Sequence, residues 1–134
     1  MASLGALGSC ERVEAPVAPP PKIIGSDGRV VQECKTPDHA PLYSGKKVVD
    51  FCAFSDEERN PRGVYTFTSP ETSDAVWAYY RKVADEQGLA IEDEPRGPKG
   101  ERIFSGRGSA GRTLRLTLGR RKGLVSGKVE WRGS

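Results

Sequence analysis

Thr113-Leu114-Arg115-Leu116-Thr117-Leu118 is the stretch on which the fold turns. Its residues alternate strictly, so the leucines share one side of an extended chain while Arg115 and the threonines share the other. That is the pattern of a strand with one buried and one solvated face. Gly119-Arg120-Arg121-Lys122-Gly123 follows as a turn, and the chain returns over 124–131 with Val125, Val129 and Trp131 on one side. So short a connection requires antiparallel pairing. The carboxy-terminal part therefore reads as a hairpin whose apolar face needs a cover.

The cover lies upstream. Val76, Tyr80, Val83 and Ala84 recur at spacings of three and four, with Tyr79 and Gln87 at the edges of the stripe, which predicts an amphipathic helix. Ser69-Pro70 offers an N-cap followed by proline at the first helical position, and Ser73 is a second candidate one turn later. Glu71 and Asp74 sit where the helix dipole favours negative charge. Gly88-Leu89 suits a glycine stop with an apolar contact back onto the last turn. At this spacing Trp77, Tyr79 and Tyr80 read as core and rim of the helix; the alternative is a ligand-stacking box.

Around this pair the chain supplies further strands. Residues 47–54 are rich in β-branched and aromatic side chains, 55–63 read as a polar loop, and 64–68 as a second strand. Beyond the helix, 89–91 begin a short strand, 92–100 read as a mobile connection, and 102–105 as a weaker strand. Strands, one helix and then several strands predict a single α+β domain, with one amphipathic helix on an antiparallel sheet behind a disordered amino-terminal leader.

Composition sets the limits. At 134 residues the chain suits one domain. Its hydrophobic share of 36% is low, and its 16 glycines and 10 prolines are many, several of them near the start. The division expected is 1–10 as a residual signal and lipobox, 11–28 as a Pro-rich linker, and 29–134 as the domain. No run approaches the ~18 apolar residues of a membrane-spanning helix. The formal charge of +3 hides an asymmetry: ten Lys/Arg face sixteen Asp/Glu up to Glu94, and eleven face two from Pro95 onward. Arg112, Arg115, Arg120, Arg121 and Lys122 form the candidate anion-binding set, with Lys128 and Arg132 nearby. The bland alternative is complementary solvated charge on two halves of one sheet.

Leu7-Gly8-Ser9-Cys10 bears on location. It resembles the bacterial lipobox, an apolar residue and two small ones before cysteine, and Ala2 to Leu7 reads as the end of an apolar signal core. The Lys/Arg-rich start usual for such a signal is missing from residues 1–9, which leaves two expectations, a native start upstream of Met1 or a clipped chain. After Cys10, residues 11–21 lack hydrophobic periodicity and their prolines favour an extended, semi-rigid spacer. Cys10 is thus the candidate lipidated residue; the alternative is a disordered tail with an accidental cysteine.

In an oxidising compartment Cys34 and Cys52 could pair and close a loop of about 18 residues. No CxxC occurs. His39, the only histidine, lies close to Cys34, but these two cysteines and one histidine fall short of the four ligands of a structural zinc. It reads as a surface-loop histidine, with a Cys–His nucleophile as the alternative. Acidic residues gather in loop runs, 56–58 and 92–94, and neither a phosphate-binding loop nor a G-x-S-x-G elbow is present. The glycine-rich stretch 106–112 precedes a strand rather than a helix. No catalytic residue, metal ligand or cofactor is therefore nominated.

Pro41-Leu42-Tyr43-Ser44-Gly45, Thr68-Ser69-Pro70-Glu71, Val76 through Tyr80 and Gly88 together resemble a broad group of small, uncharacterised bacterial periplasmic domains, often lipoproteins. Their pattern runs Pro-x-Tyr-Pro-Gly before a strand, then Ser-Pro and a helix bearing Val-x-x-x-Tyr, closed by Gly. Ser44 stands where proline is usual, and extra residues separate Ser-Pro from Val76. The resemblance covers roughly 41–131 and implies compartment and architecture, not an activity. The function expected is a lipid-anchored periplasmic domain, on the outer membrane, with a structural or partner-binding role. The membrane is reached through the lipid on Cys10, and the partner is anionic lipid, lipopolysaccharide or an acidic envelope protein, with no nucleic acid. The alternatives are a cytosolic basic nucleic-acid-binding domain or a small hydrolase.

Overall fold

The hairpin that begins at Thr113 is the middle of the sheet. In the computed structural model, which describes residues 22–24, 30–55 and 60–134, strands β3 (Val48–Ser55), β4 (Arg62–Ser69), β5 (Ala90–Glu94), β6 (Arg102–Arg107), β7 (Thr113–Arg121) and β8 (Leu124–Arg132) form one antiparallel sheet. Its order is β3-β4-β8-β7-β6-β5, and helix α1 (Ser73–Glu86) packs on one face. The domain is α+β, as the pattern predicts. A separate pair, β1 (Lys22–Ile24) with β2 (Val30–Glu33), precedes it. β1 falls within the stretch 11–28 read as linker. Cys10 and the lipobox lie outside the described residues.

Period-two burial explains the sheet's centre. Leu114, Leu116 and Leu118 are buried with Val125, Val129 and Trp131, while Arg115 and Thr117 lie on the open face. Tyr65, Phe67 and Phe104 join them from the flanking strands, and Val76, Tyr80 and Ala84 close the core from the helix. Trp77 and Tyr79 are half-buried at the rim, where Trp77 meets Phe104 edge-on at 5.0 Å between ring centres. Val83 is likewise half-buried, at the edge of the stripe rather than its centre.

Several boundaries differ from expectation. The β7–β8 turn is only Lys122-Gly123, because Gly119, Arg120 and Arg121 continue the ladder against Ser126, Val125 and Leu124. Both turn residues have positive φ, 54° and 80°, the backbone hand that a two-residue hairpin needs. The acidic run 92–94 is not a loop: it completes β5, where Asp93 pairs with Arg81 and Glu94 with Arg115. The connection starts at Pro95 and is closed by its own backbone bonds, Gly97 N–H to Glu101 and Gly100 N–H to Gly97, both 3.0 Å.

The helix begins at neither serine. Thr72 is the N-cap, its hydroxyl accepting from Ala75 N–H at 3.1 Å. Ser69 is unavailable because its hydroxyl donates to the Lys46 carbonyl and accepts from Glu71 N–H. Ser73 is the first helical residue, and its hydroxyl accepts from Arg102. The other end behaves as read: Gly88 has φ 72°, Leu89 N–H reaches Ala84 and Gly88 N–H reaches Asp85, the paired bonds of a Schellman stop.

The segment before β3 is pinned across the core. Tyr65 and Tyr80 both donate to the Pro41 carbonyl, at 2.7 and 2.8 Å, and their hydroxyls also meet each other. Tyr43 donates to Glu71. The Pro-x-Tyr and Ser-Pro-Glu motifs are therefore the two sides of one clasp. Cys34 and Cys52 complete it at disulfide distance, with Cα atoms 5.8 Å apart.

Candidate functional site

One end of the sheet gathers positive charge that exceeds the negative among the described residues. Antiparallel register places the β7–β8 hairpin beside the connection 95–101 and the start of β6. A cavity of about 760 Å³ opens there, with Arg96, Lys99, Arg120, Arg121 and Lys128 among its walls. Thr66, Thr117 and Ser126 add hydroxyls, and the register sets Thr66, Lys128 and Thr117 side by side on neighbouring strands. Glu101 is the one carboxylate among the described residues that line it. Its carboxyl is held below the usual range chiefly by backbone N–H groups, that of Lys99 among them at 2.9 Å.

The basic residues nominated from the sequence are brought together only in part. Arg120, Arg121 and Lys122 share the hairpin end, and none has an ion-pair carboxylate among the described residues; Arg120 donates to the Gly123 carbonyl. Arg112 lies at the opposite end, donating to the Gln87 carbonyl at 2.9 Å and to Ser109. It serves the last carbonyls of the helix, where a cation also suits the dipole. Arg115 is committed to Glu94 by two bonds of 3.0 and 3.1 Å and to Glu130 at 3.2 Å. That hydrogen bonding holds the Glu94 carboxyl below its ordinary range. Arg102 is spent as well, pairing with Asp74 at 2.7 Å and stacking on Trp77.

Arg96 and Lys99 join the site although the sequence does not single them out. They sit on a connection between strands, and only the strand order reveals that this connection abuts the β7–β8 hairpin. Their signal is the hairpin itself: β5 and β6 pair end to end, so residues 95–101 must stand at the same edge as 119–124.

His39 is a correction. The sequence reads as a surface-loop histidine, but the side chain is buried, its Nε2 bonded to the Arg132 carbonyl at 2.7 Å and its ring edge-on to Trp131. Among the described residues no three potential metal-ligating side chains come together. Burial depresses the imidazole below its ordinary value of 6.5, outweighing the backbone bond that raises it. A base whose folded value is depressed binds fewer protons than the unfolded chain over the intervening range, so stability falls as pH drops. Full stability is expected above about pH 7, with loss through the ordinary histidine range towards the depressed value. His39→Gln should flatten that slope in urea titrations at pH 5, 6 and 7. An unchanged slope would remove His39 as its source.

A second cavity, about 560 Å³, lies over the open face at the other end, between Ala53, Val64, Arg62 and the Arg115–Glu130 pair. Arg115 and Glu130 pair with each other there, while Arg62 and Arg132 have no ion-pair carboxylate among the described residues. Among the described residues no helix is long and apolar enough to cross a membrane. Neither the known protein families, nor the curated proteins, nor the solved structures contain a match to this chain.

Proposed function

We propose that this chain is a non-catalytic binding domain of the bacterial envelope, held at the outer membrane on its periplasmic side by lipid on Cys10, and that the hairpin end of its sheet takes an anionic group. The observation that carries the binding role is the crowding of Arg96, Lys99, Arg120, Arg121 and Lys128 around one cavity with a single carboxylate among the described residues that line it. Like charges so arranged repel one another, and an anion relieves that repulsion while the neighbouring hydroxyls supply hydrogen-bond partners. The envelope location rests on the lipobox-like Leu7-Gly8-Ser9-Cys10, the proline-rich stretch after it, and the Cys34–Cys52 pair, a feature that persists in oxidising compartments.

Two measurements test the two halves. Short inorganic polyphosphate, titrated calorimetrically, should bind the wild-type chain with an affinity that falls steeply with salt. The variant Arg120→Gln/Arg121→Gln/Lys122→Gln should bind at least about tenfold more weakly, each cation contributing up to ~1 kcal/mol near an anionic surface. Arg107→Gln, exposed at the opposite end, should leave binding intact. Equal binding by wild type and triple variant defeats the anion site. Mass spectrometry of the protein made in a bacterium should find acyl chains on Cys10; an unmodified Cys10 with its upstream peptide intact defeats the tether.

A further inference from the structure

The open face of the sheet divides into two unlike halves. At the hairpin end it carries Val48, Phe51 and Leu124, which are 65%, 51% and 40% exposed. Phe54, the remaining exposed large apolar residue among those described, has the Lys35 ammonium over its ring. Register fixes how the exposed three relate. Val48 pairs with Thr68 and Thr68 with Ser126, so these side chains form one row across β3, β4 and β8. Leu124 follows two residues along β8, opposite Arg121. Phe51 stands one row the other way, with Thr66, Lys128 and Thr117 beyond it. By strand spacing, Val48 and Leu124 are about 10 Å apart across the strands and ~7 Å along them. Apolar and cationic side chains thus share one patch, with Thr66, Thr68 and Ser126 between them.

The far half of the same face differs. Ala53 and Val64 are small or half-buried there, and Arg115 is neutralised by Glu94 and Glu130. Arg62 and Arg132 are exposed cations on that half as well, without an ion-pair carboxylate among the described residues, so what sets the hairpin end apart is the exposed Val48, Phe51 and Leu124 beside its cations.

A soluble anion makes no use of Val48, Phe51 or Leu124. A bilayer surface uses both kinds of residue: its phosphates meet the cations, and its acyl boundary accepts the apolar side chains that water penalises. We propose that the hairpin end of the open face seats on an anionic phospholipid bilayer, with Arg121, Lys122 and Lys128 on the head groups and Val48, Phe51 and Leu124 entering the interface. The inference rests on the reading that this end binds anions, and it names the anion's source.

The test uses the full chain without lipid on Cys10, sedimented with vesicles. Phosphatidylcholine vesicles containing phosphatidylglycerol should carry the wild type down at low salt, and phosphatidylcholine vesicles alone should not. Val48→Ser/Phe51→Ser/Leu124→Ser should bind short polyphosphate like the wild type but partition onto the anionic vesicles about tenfold less, having lost its interfacial apolar area. A single Leu124→Trp, at an exposed position beside the turn, gives an independent readout: brominated lipid should quench it. Binding of polyphosphate without binding of vesicles overturns the bilayer while sparing the anion site. So does equal partitioning by the apolar variant, or an unquenched Leu124→Trp on bound vesicles. Failure to bind either polyphosphate or vesicles overturns both.

Discussion

Phe67→Ala is expected to lower unfolding free energy by about 4 kcal/mol, as deleting a fully buried aromatic ring from a packed core generally does. Phe67 has no exposed surface and stacks on Tyr43 at 5.7 Å between ring centres, with the Tyr65 ring tilted against it at 5.8 Å. The size of the loss depends on whether the neighbours can collapse into the hole. Here they are held: Tyr43 is bonded to Glu71, and Tyr65 shares the Pro41 carbonyl with Tyr80. Across the strand the ring lies over Gly127, where an added Cβ would come within 2.5 Å of two ring carbons. Gly127→Ala is therefore expected to cost ~1–3 kcal/mol by overpacking. Combining Gly127→Ala with Phe67→Leu should recover part of the summed loss, because the smaller side chain makes room. Urea unfolding of the wild type, Gly127→Ala, Phe67→Leu and the double variant measures the cycle, and Phe67→Ala is unfolded alongside them. A loss under about 1 kcal/mol for Phe67→Ala would mean that the tyrosine clasp is not rigid.

Burial on one face leaves a period in the sequence, and that is why the middle of the fold is legible. The alternation from Thr113 to Leu118 and the three-four spacing from Val76 to Ala84 mark β7 and α1, which meet across the core. Edges lack that signal. Glu92, Asp93 and Glu94 look like a solvated run, yet two of them meet arginines from other elements, and that pairing is invisible until the strands are placed. The helix start is misread for a similar reason: Ser69 has cap chemistry, but a carbonyl 23 residues away claims its hydroxyl.

The site is legible only in part, and along the same line. A run such as Arg120-Arg121-Lys122 stays together because it is a hairpin end. Arg112 and Arg115 carry the same charge a few residues earlier, but strand geometry sends Arg112 to the helix terminus and points Arg115 at two glutamates. Composition counts both as free cations. Only partners distinguish a cation that stabilises the fold from one left to meet a ligand, and partners here come from elements far apart in the chain. His39 shows the converse: a polar residue beside proline reads as surface, whereas a carbonyl on the last strand, 93 residues on, gives it a buried bond.

Loss of the Cys34–Cys52 bridge is expected to cost about 3 kcal/mol, the chain-entropy value for a closed loop of this length. The separation is 18 residues, and the enclosed segment contains His39, Pro41 and Tyr43, the groups that tie the chain before β3 to the core. Removing the bridge frees the segment in the unfolded state while leaving its tyrosine and histidine bonds to form unaided. For a domain of roughly 100 residues, ~3 kcal/mol corresponds to a fall of about 15 °C in Tm. Dithiothreitol should produce that fall in the wild type and none in Cys34→Ala/Cys52→Ala, which should melt at the lower temperature throughout. The outcome also bears on the compartment. A domain that keeps so large a share of a marginal stability in one bridge persists where thiols stay oxidised and is weakened where glutathione reduces them. If reductant leaves the wild-type Tm unchanged, the bridge contributes nothing to persistence, and the envelope reading then stands on the Cys10 leader alone.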